Sequence, residues 1–230
     1  AGRTDAATTI QIRSPDALRR ILGAPGELGF ARAYVAGDVD VQGSIFDVLG
    51  LRDRFVRPRL GPTDAAAILR LLGTDLRPPP PPETEFAPRG RRHSRERDRS
   101  AVSYHYDVSN DFYATFLGPT MTYSCAVFEH DGQGLDRAQE NKYELICRKL
   151  GLQPGMRLLD VGCGWGGMVL HAARHYGVSA VGVTVSSRQV ELARRRVADA
   201  GLDRVVEIRL QDYRELTDGP FDAISSIGMF

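Results

Sequence analysis

Apolar and polar positions follow two alternating periods along the C-terminal half of the chain. Short apolar runs at 157–161, 179–183, 204–210 and 221–227 predict four strands. Between the first three, apolar residues recur at helical spacing over 168–176 and 187–200, which predicts two amphipathic helices. Strands that alternate with helices indicate an α/β fold built on a parallel sheet.

Residues 1–76 predict a separate, smaller α+β domain. Alternation at 8–12 and 38–41 predicts two strands, and helices are predicted over 17–22, 27–36, 45–49 and 65–72. Ser14, Ser44 and Thr63 are the expected N-cap residues of three of these helices. The stretch contains no catalytic constellation of side chains, which favours a structural or docking domain.

Residues 77–100 predict a linker between two domains. The five prolines at 78–82 cannot join a helix or an inner strand. Residues 89–99 then contain six arginines and two acids. Two interpretations stay open: a solvated tether, or a segment attracted to anionic lipid headgroups by about 1 kcal/mol per basic residue near the surface.

The third segment, 101–230, opens with aromatic residues. A short helix carrying Phe112, Tyr113 and Phe116 is predicted, with Asp107 or Ser109 as its cap. This helix either packs on a core through one face or covers a site as a lid, and the sequence favours neither.

An irregular loop at 118–128, rich in small and polar residues, leads to a longer helix that ends at Leu150. Asp136 and Gln139 form a capping-box pattern at its start. Cys147 is predicted to lie on the core side of this helix.

Glycines follow the first strand of the third segment. Gly162, Gly164 and Gly167 satisfy G-x-G-x-x-G, but a dinucleotide site needs an acidic residue about 20 positions further on. No Asp or Glu lies between Val161 and Val190. Asp160 directly before the glycines is instead similar to the first motif of S-adenosylmethionine (SAM) methyltransferases.

Charge, hydropathy and cysteine content narrow the classes of function that the chain can have. The chain has 30 Lys+Arg and 29 Asp+Glu, a net charge of +1, so no global basic field indicates nucleic acid. No apolar run approaches the roughly 18 residues of a membrane span. The three cysteines are odd in number and lack metal-ligand spacing, which suits a reducing cytoplasm and no metal site.

Four strands make an open half-sheet, so we expect a part of a longer protein, with part of the active site beyond Phe230.

Residues 101–230 resemble the cyclopropane-fatty-acyl-phospholipid synthase family, which includes the mycolic acid cyclopropane synthases and related fatty-acid methyltransferases. The resemblance rests on six motifs in the family's order and spacing: residues 105–110, 121–126, 159–167, 182–186 with Gln189, 211–213 and 226–230. It implies a Rossmann-like class I SAM methyltransferase sheet, lacking its C-terminal part, after a small α+β domain. The first 76 residues resemble the substrate-docking region of the phospholipid-acting members.

The resemblance also implies residue roles. The expected cofactor-binding residues are Tyr123, Ser124, Asp160, Gly162, Cys163, Gly164, Trp165, Gly166, Gly167, Thr184, Ser186, Gln189, Gln211, Asp212 and Tyr213. Cys125 matches a position that helps to bind bicarbonate. Tyr106 belongs to an aromatic cluster, with Tyr104, Phe112 and Tyr113, that is expected to face a carbocation.

The implied reaction transfers a methyl carbon from SAM to the double bond of an unsaturated acyl chain. Bicarbonate would then take a proton, giving a cyclopropane or a methylene branch that a separate reductase could convert to a methyl branch. Expected partners are an unsaturated phospholipid or fatty acyl chain, the inner face of the membrane and a second copy of the chain, but no nucleic acid. Two alternatives stay open: a SAM methyltransferase of small molecules, and a catalytically dead relative that binds lipid.

Overall fold

The computed structural model describes residues 6–51, 61–73, 75–87, 89–106 and 108–229. The chain forms two compact units, Ala1–Glu85 and Phe86–Phe230. The division falls inside the segment 77–100 that the sequence predicts as a linker. Asp107 and Phe230, which the sequence analysis singles out, lie outside the described residues.

The first unit is an α+β unit with a two-stranded sheet. Strand β1 (Thr9–Ile12) pairs antiparallel with β2 (Val39–Gln42). Its helices are α1 (Asp16–Gly23), α2 (Glu27–Val35), α3 (Ile45–Leu49) and α4 (Pro62–Leu72). These elements agree with the predicted ones to within a few residues. A small core of Ala17, Ala33 and Val39 holds helices and sheet together.

Two of the predicted caps in this unit are wrong. Helix α1 has Pro15 as its N-cap, and Ser14 instead accepts a hydrogen bond from the amide of Asp16 (3.1 Å). Helix α4 begins at Pro62, and the carboxylate of Asp64 accepts a hydrogen bond from the Gly61 amide (2.9 Å). Thr63 therefore lies inside the helix.

The predicted linker is more ordered than a tether. Arg20 donates a hydrogen bond to the Pro80 carbonyl (2.6 Å), and Arg32 donates to both Glu85 carboxylate oxygens (2.7 and 2.5 Å). Its last part is helical, because α5 runs over Arg95–Tyr106 in the second unit. Arginines that look solvated in sequence thus have partners within their own unit, such as Arg95 with Glu215 (3.0 Å).

The second unit is built on a parallel four-stranded sheet. Its strands are β3 (Arg157–Val161), β4 (Ser179–Thr184), β5 (Val206–Leu210) and β6 (Ala223–Ser225), in the order β5-β4-β3-β6. All three neighbouring pairs are parallel. The order reverses between β3 and β6, which creates the crevice at the carboxyl ends of the strands where open α/β sheets bind ligands.

Four further helices complete this unit: α6 (Asn110–Leu117), α7 (Leu135–Leu150), α8 (Gly167–Tyr176) and α9 (Ser187–Asp199). Helices α7, α8 and α9 contribute to the main hydrophobic core against β3 and β4, around Leu158, Val169 and Val190. Cys147 is fully buried there, and burial raises the pKa of its thiol to about 12. The predicted core position of Cys147 is confirmed.

Helix starts in this unit test two of the predicted caps, Ser109 and Asp136. Ser109 caps α6 by accepting from the Phe112 amide (3.0 Å), and Ser186 caps α9 by accepting from the Gln189 amide (3.3 Å). The capping box at Asp136 is wrong: α7 follows Gly134 without a side-chain cap. Of the helices in the described ranges, none is both long and apolar enough to cross a membrane.

Candidate active site

The glycine turn after β3, residues 162–167, forms one wall of the site. Gly162, Gly164 and Gly166 have φ angles of +75°, +56° and +82°, a region that side-chain-bearing residues rarely occupy. A Cβ added at Gly164 would meet no atom within 4 Å. The backbone at Gly164 therefore presents an open surface that a ligand can approach closely, beside the N-terminus of α8.

Gly167 has a different reason to be glycine. A Cβ there would overlap the hydroxyl oxygen of Tyr143 and lie 2.8 Å from its Cζ. The same hydroxyl is 2.5 Å from Oγ1 of Thr122. The turn is thus tied through Tyr143 to the loop at 118–128.

Two cavities meet at this turn, and Tyr106 and Gly162 line both. The larger, of about 290 Å³, lies toward the ends of β4 and β5. Five of the predicted cofactor-binding residues line it: Gly162, Thr184, Gln189, Gln211 and Tyr213. The smaller, of about 70 Å³, lies against the glycine turn. Eight of them line it: Tyr123, Ser124, Asp160, Gly162, Cys163, Gly164, Trp165 and Gly167.

Some predicted residues line neither cavity. Ser186 is fully buried as the cap of α9, and Gly166 is the N-cap of α8. The carboxylate of Asp212 is paired with the guanidinium of Arg214 (2.9 and 2.6 Å), which lowers the pKa of Asp212. Cys125 is exposed. Their direct contact with a ligand stays a prediction.

Hydrogen bonds fix side chains along the larger cavity. Thr184 donates to Oε1 of Gln189 (2.7 Å), which holds the Gln189 amide at the wall. Both residues are buried although both are polar. Polar groups placed this way in an otherwise apolar cavity can orient a bound ligand.

Trp165 links the glycine turn to the aromatic helix α6. Its indole nitrogen donates to Oδ1 of Asn110 (2.7 Å), and its carbonyl accepts from Arg196 (2.6 Å). Tyr113, buried on α6, lies with its ring centroid 5.0 Å from that of Trp165. One face of α6 therefore packs on the turn, as expected for a helix that packs on a core. Whether the helix also covers the site as a lid stays a prediction.

Of the predicted aromatic cluster, Tyr106 lines both cavities, whereas Tyr104, Phe112 and Tyr113 line neither. The Tyr106 ring centroid is 5.8 Å from those of Tyr113 and Trp165 and 6.4 Å from that of Tyr123. Burial raises the pKa of Tyr106, which keeps its hydroxyl neutral. Phe112 is half exposed and contacts Tyr113 edge to face, at 5.5 Å.

Asp160 is the next-to-last residue of β3 and lies inside the protein. It is 2% exposed and accepts a hydrogen bond from Ser225 of β6 (2.7 Å). Burial raises the pKa of its carboxyl to about 6. The hydrogen bond between Asp160 and Ser225 therefore joins β3 to β6 at the point where the strand order reverses, beside the smaller cavity.

Lys142 is a residue of the site that sequence reasoning missed. It is 6% exposed, and its ammonium donates to Oγ of Ser124 (2.7 Å). Burial lowers the pKa of Lys142 to about 8. Its neighbours Gln139 and Asn141 donate to the carbonyls of Ser124 (2.9 Å) and Val127 (3.3 Å). A cluster of polar residues at 139–142, where the helix meets the core, was the available signal.

The family described as mycolic acid cyclopropane synthetase matches residues 93–230. The chain belongs to this family. It is 45% identical to a probable fatty acid methyltransferase of Mycobacterium tuberculosis over 100% of the chain and 56% of that protein. It is also 38% identical to the cyclopropane-fatty-acyl-phospholipid synthase of Escherichia coli, over 96% of the chain and 52% of that protein.

Solved structures of the family share the fold of the second unit. A mycolic acid cyclopropane synthase complexed with SAH and CTAB aligns with a TM-score of 0.54 and 46% identity, over 56% of the chain and 45% of that structure. The resemblance to this family, and the Rossmann-like sheet predicted from it, are confirmed. The chain spans about half the length of these curated relatives.

Proposed function

We propose that the protein transfers a methyl carbon from SAM to the double bond of an unsaturated acyl chain in a phospholipid. The product is a cyclopropane or a methylene-branched or methyl-branched chain. One observation carries the proposal: an open glycine turn meets two joined cavities lined by most of the residues that the family resemblance assigns to SAM.

The cofactor fits the turn because Gly164 leaves room where any side chain would stand. The methionine part of SAM would lie in the smaller cavity, by Ser124 and Asp160, and the ribose and adenine in the larger one, by Gln189 and Gln211. Bound there, SAM supplies an electrophilic methyl group strong enough for an isolated alkene. A relative of 46% identity that is complexed with SAH supports the choice of this cofactor.

The aromatic cluster would form the substrate side. Tyr106 lines both cavities and is surrounded by three further rings. Neutral aromatic faces attract positive charge, and a pocket that excludes water protects a reactive cation. Cys125, one residue beyond Ser124, is the side chain of this chain expected to contact bicarbonate, the proton acceptor.

A phospholipid substrate is favoured because the phospholipid-acting relative aligns with nearly the whole chain, whereas the mycolic acid synthase aligns with about half of it. The E. coli phospholipid synthase aligns over 96% of the chain, whereas a mycolic acid cyclopropane synthase of Mycobacterium leprae aligns over 56%. The first unit is therefore a substrate-docking domain, followed by the basic segment 89–99. The protein would act from the cytoplasm on the inner face of the membrane.

The test uses the full-length protein, methyl-labelled SAM and vesicles of monounsaturated phospholipid, with mass spectrometry of the acyl chains. We expect the label in the acyl chains, with a gain of one carbon, and fragmentation then separates ring from methylene products. Vesicles of the matching saturated phospholipid are the control and should stay unlabelled. SAM binding without label in lipid would contradict the lipid substrate and favour a small-molecule methyltransferase.

A further inference from the structure

A buried lysine stands behind the loop that faces the glycine turn. Lys142 lies in the middle of α7, and its Nζ is 2.7 Å from Oγ of Ser124 and 5.0 Å from the ring centroid of Tyr143. An ammonium can donate three hydrogen bonds and accept none. Burial of such a charge is costly unless it is paired.

The Lys142 ammonium has fewer acceptors among the described residues than it has hydrogens to donate. Among the described residues, no carboxylate forms an ion pair with Lys142 within 4 Å, and its single acceptor is the neutral hydroxyl of Ser124. The titratable groups that act on it from neighbouring elements are Asp160, at the end of β3, and Cys125, in the loop. Asp160 is itself occupied by Ser225. A positive charge therefore remains close behind Ser124 without a direct anionic partner.

The hydrogen bond from Lys142 also fixes the role of Ser124. Since Oγ accepts from the ammonium, the hydroxyl hydrogen of Ser124 is left to donate elsewhere. Ser124 lines the smaller cavity together with Gly162 and Gly164, whereas Lys142 does not line it. The N-terminus of the ten-residue helix α8 adjoins the same cavity through Gly167 and favours negative charge there.

We propose that Lys142 is a positioning residue, which holds the Ser124 hydroxyl as a donor to a carboxylate-type anion at the glycine turn. The inference rests on the proposed function for the identity of that anion. It is the carboxylate of the methionine part of SAM; bicarbonate, the other carboxylate-type anion of the reaction, is distinguished by the test. Lys142 acts through Ser124 and does not touch the ligand.

The test compares two ligands that differ by one carboxylate. Affinities of SAM and decarboxylated SAM are measured by calorimetry, without bicarbonate, for the full-length protein and its Lys142→Met variant. We expect the variant to bind SAM at least tenfold more weakly and decarboxylated SAM as tightly as the unchanged protein, because methionine keeps the length and loses the charge. Lys149→Met, an exposed position on the same helix, is the control and should leave both affinities unchanged.

Each outcome decides the inference. If Lys142→Met weakened the binding of SAM and of decarboxylated SAM equally, the role of Lys142 would be structural and the inference would be wrong. The inference would also be wrong if neither affinity changed and the bicarbonate dependence of methyl transfer stayed the same. An unchanged SAM affinity with a tenfold higher half-saturating bicarbonate concentration in the methyl-transfer assay would support the anion site but assign it to bicarbonate. If the unchanged protein bound no SAM, the proposed function and this inference would both fail. If SAM discrimination changed as expected but lipid stayed unlabelled, only the lipid substrate would fail.

Discussion

Substitution of Gly167 by alanine probes the contact that joins the glycine turn to the rest of the site. The added Cβ would overlap the Tyr143 hydroxyl and lie 2.8 Å from Cζ and 3.3 Å from Cε2. Tyr143 is 6% exposed, and its hydroxyl is hydrogen-bonded to Thr122, so the ring cannot retreat freely. Overpacking of a well-packed interior costs about 1–3 kcal/mol. Loss of the hydrogen bond adds about 0.5–1.5 kcal/mol.

We therefore expect Gly167→Ala to lower the free energy of unfolding by about 1.5–4.5 kcal/mol, the sum of the two costs. Urea unfolding followed by the fluorescence of Trp165, the one tryptophan of the sequence, reports on this region directly. Gly134→Ala is the matched control, because Gly134 has φ −68° and nothing within 4 Å of an added Cβ. Its stability should stay equal or rise by up to about 1 kcal/mol.

The double variant separates the contact from a general effect on the turn. Tyr143→Phe removes the overlapping oxygen, so the cost of Gly167→Ala should shrink by more than about 0.5 kcal/mol in that background. A Gly167→Ala protein within about 0.5 kcal/mol of the unchanged one would refute the reasoning, as would strict additivity with Tyr143→Phe.

Three further predictions concern the site itself. Gly164→Ala should lower the free energy of unfolding by about 1–2 kcal/mol through its left-handed backbone. Calorimetry should also show that SAM affinity falls by over tenfold, because the added Cβ enters the space that the ligand needs. The pKa of Asp160 is about 6 in the fold against 3.8 unfolded, so stability falls as pH rises from about 4 to about 6 and the loss is complete above that range. Asp160→Asn should therefore become more stable relative to the unchanged protein as pH rises from about 4 to about 6. In urea unfolding, the difference in the free energy of unfolding should reach about 3 kcal/mol at pH 7. A pH-independent difference would contradict this. Tyr106→Leu should lower turnover at least tenfold in the labelled-lipid assay, and unaltered turnover would remove Tyr106 from the reaction.

Periodicity predicted most of the fold because β3 and β4 are continuous apolar runs buried on both faces, and α8 and α9 each bury one apolar face. The failures lie where a partner distant in sequence decides. Gln139 fits a capping box locally, yet its amide donates to the Ser124 carbonyl, because the loop folds across α7. The proline segment reads as a free linker, yet Arg20 binds the Pro80 carbonyl. Neither partner is visible within a window of neighbouring residues.

The candidate site divides in the same way. The glycine turn was predictable because positive φ angles and close approach leave a local signature in the sequence. Lys142 was not, since a lysine within a helix of many charges resembles a solvated face until the loop at 118–128 is seen to cover it. Asp212 was predicted from the family resemblance, but its pairing with Arg214, two residues away, was not. Its contact with the cofactor stays a prediction.

The most direct test of the central claim is a crystal structure of the full-length protein with SAH. We expect the ligand to lie across the glycine turn, with its amino acid part over Gly164 and its adenine between Gln189 and Gln211. Its carboxylate should lie within hydrogen-bond distance of the Ser124 hydroxyl. Ligand density elsewhere on the protein, or none at saturating SAH, would contradict the assignment of this crevice to the cofactor.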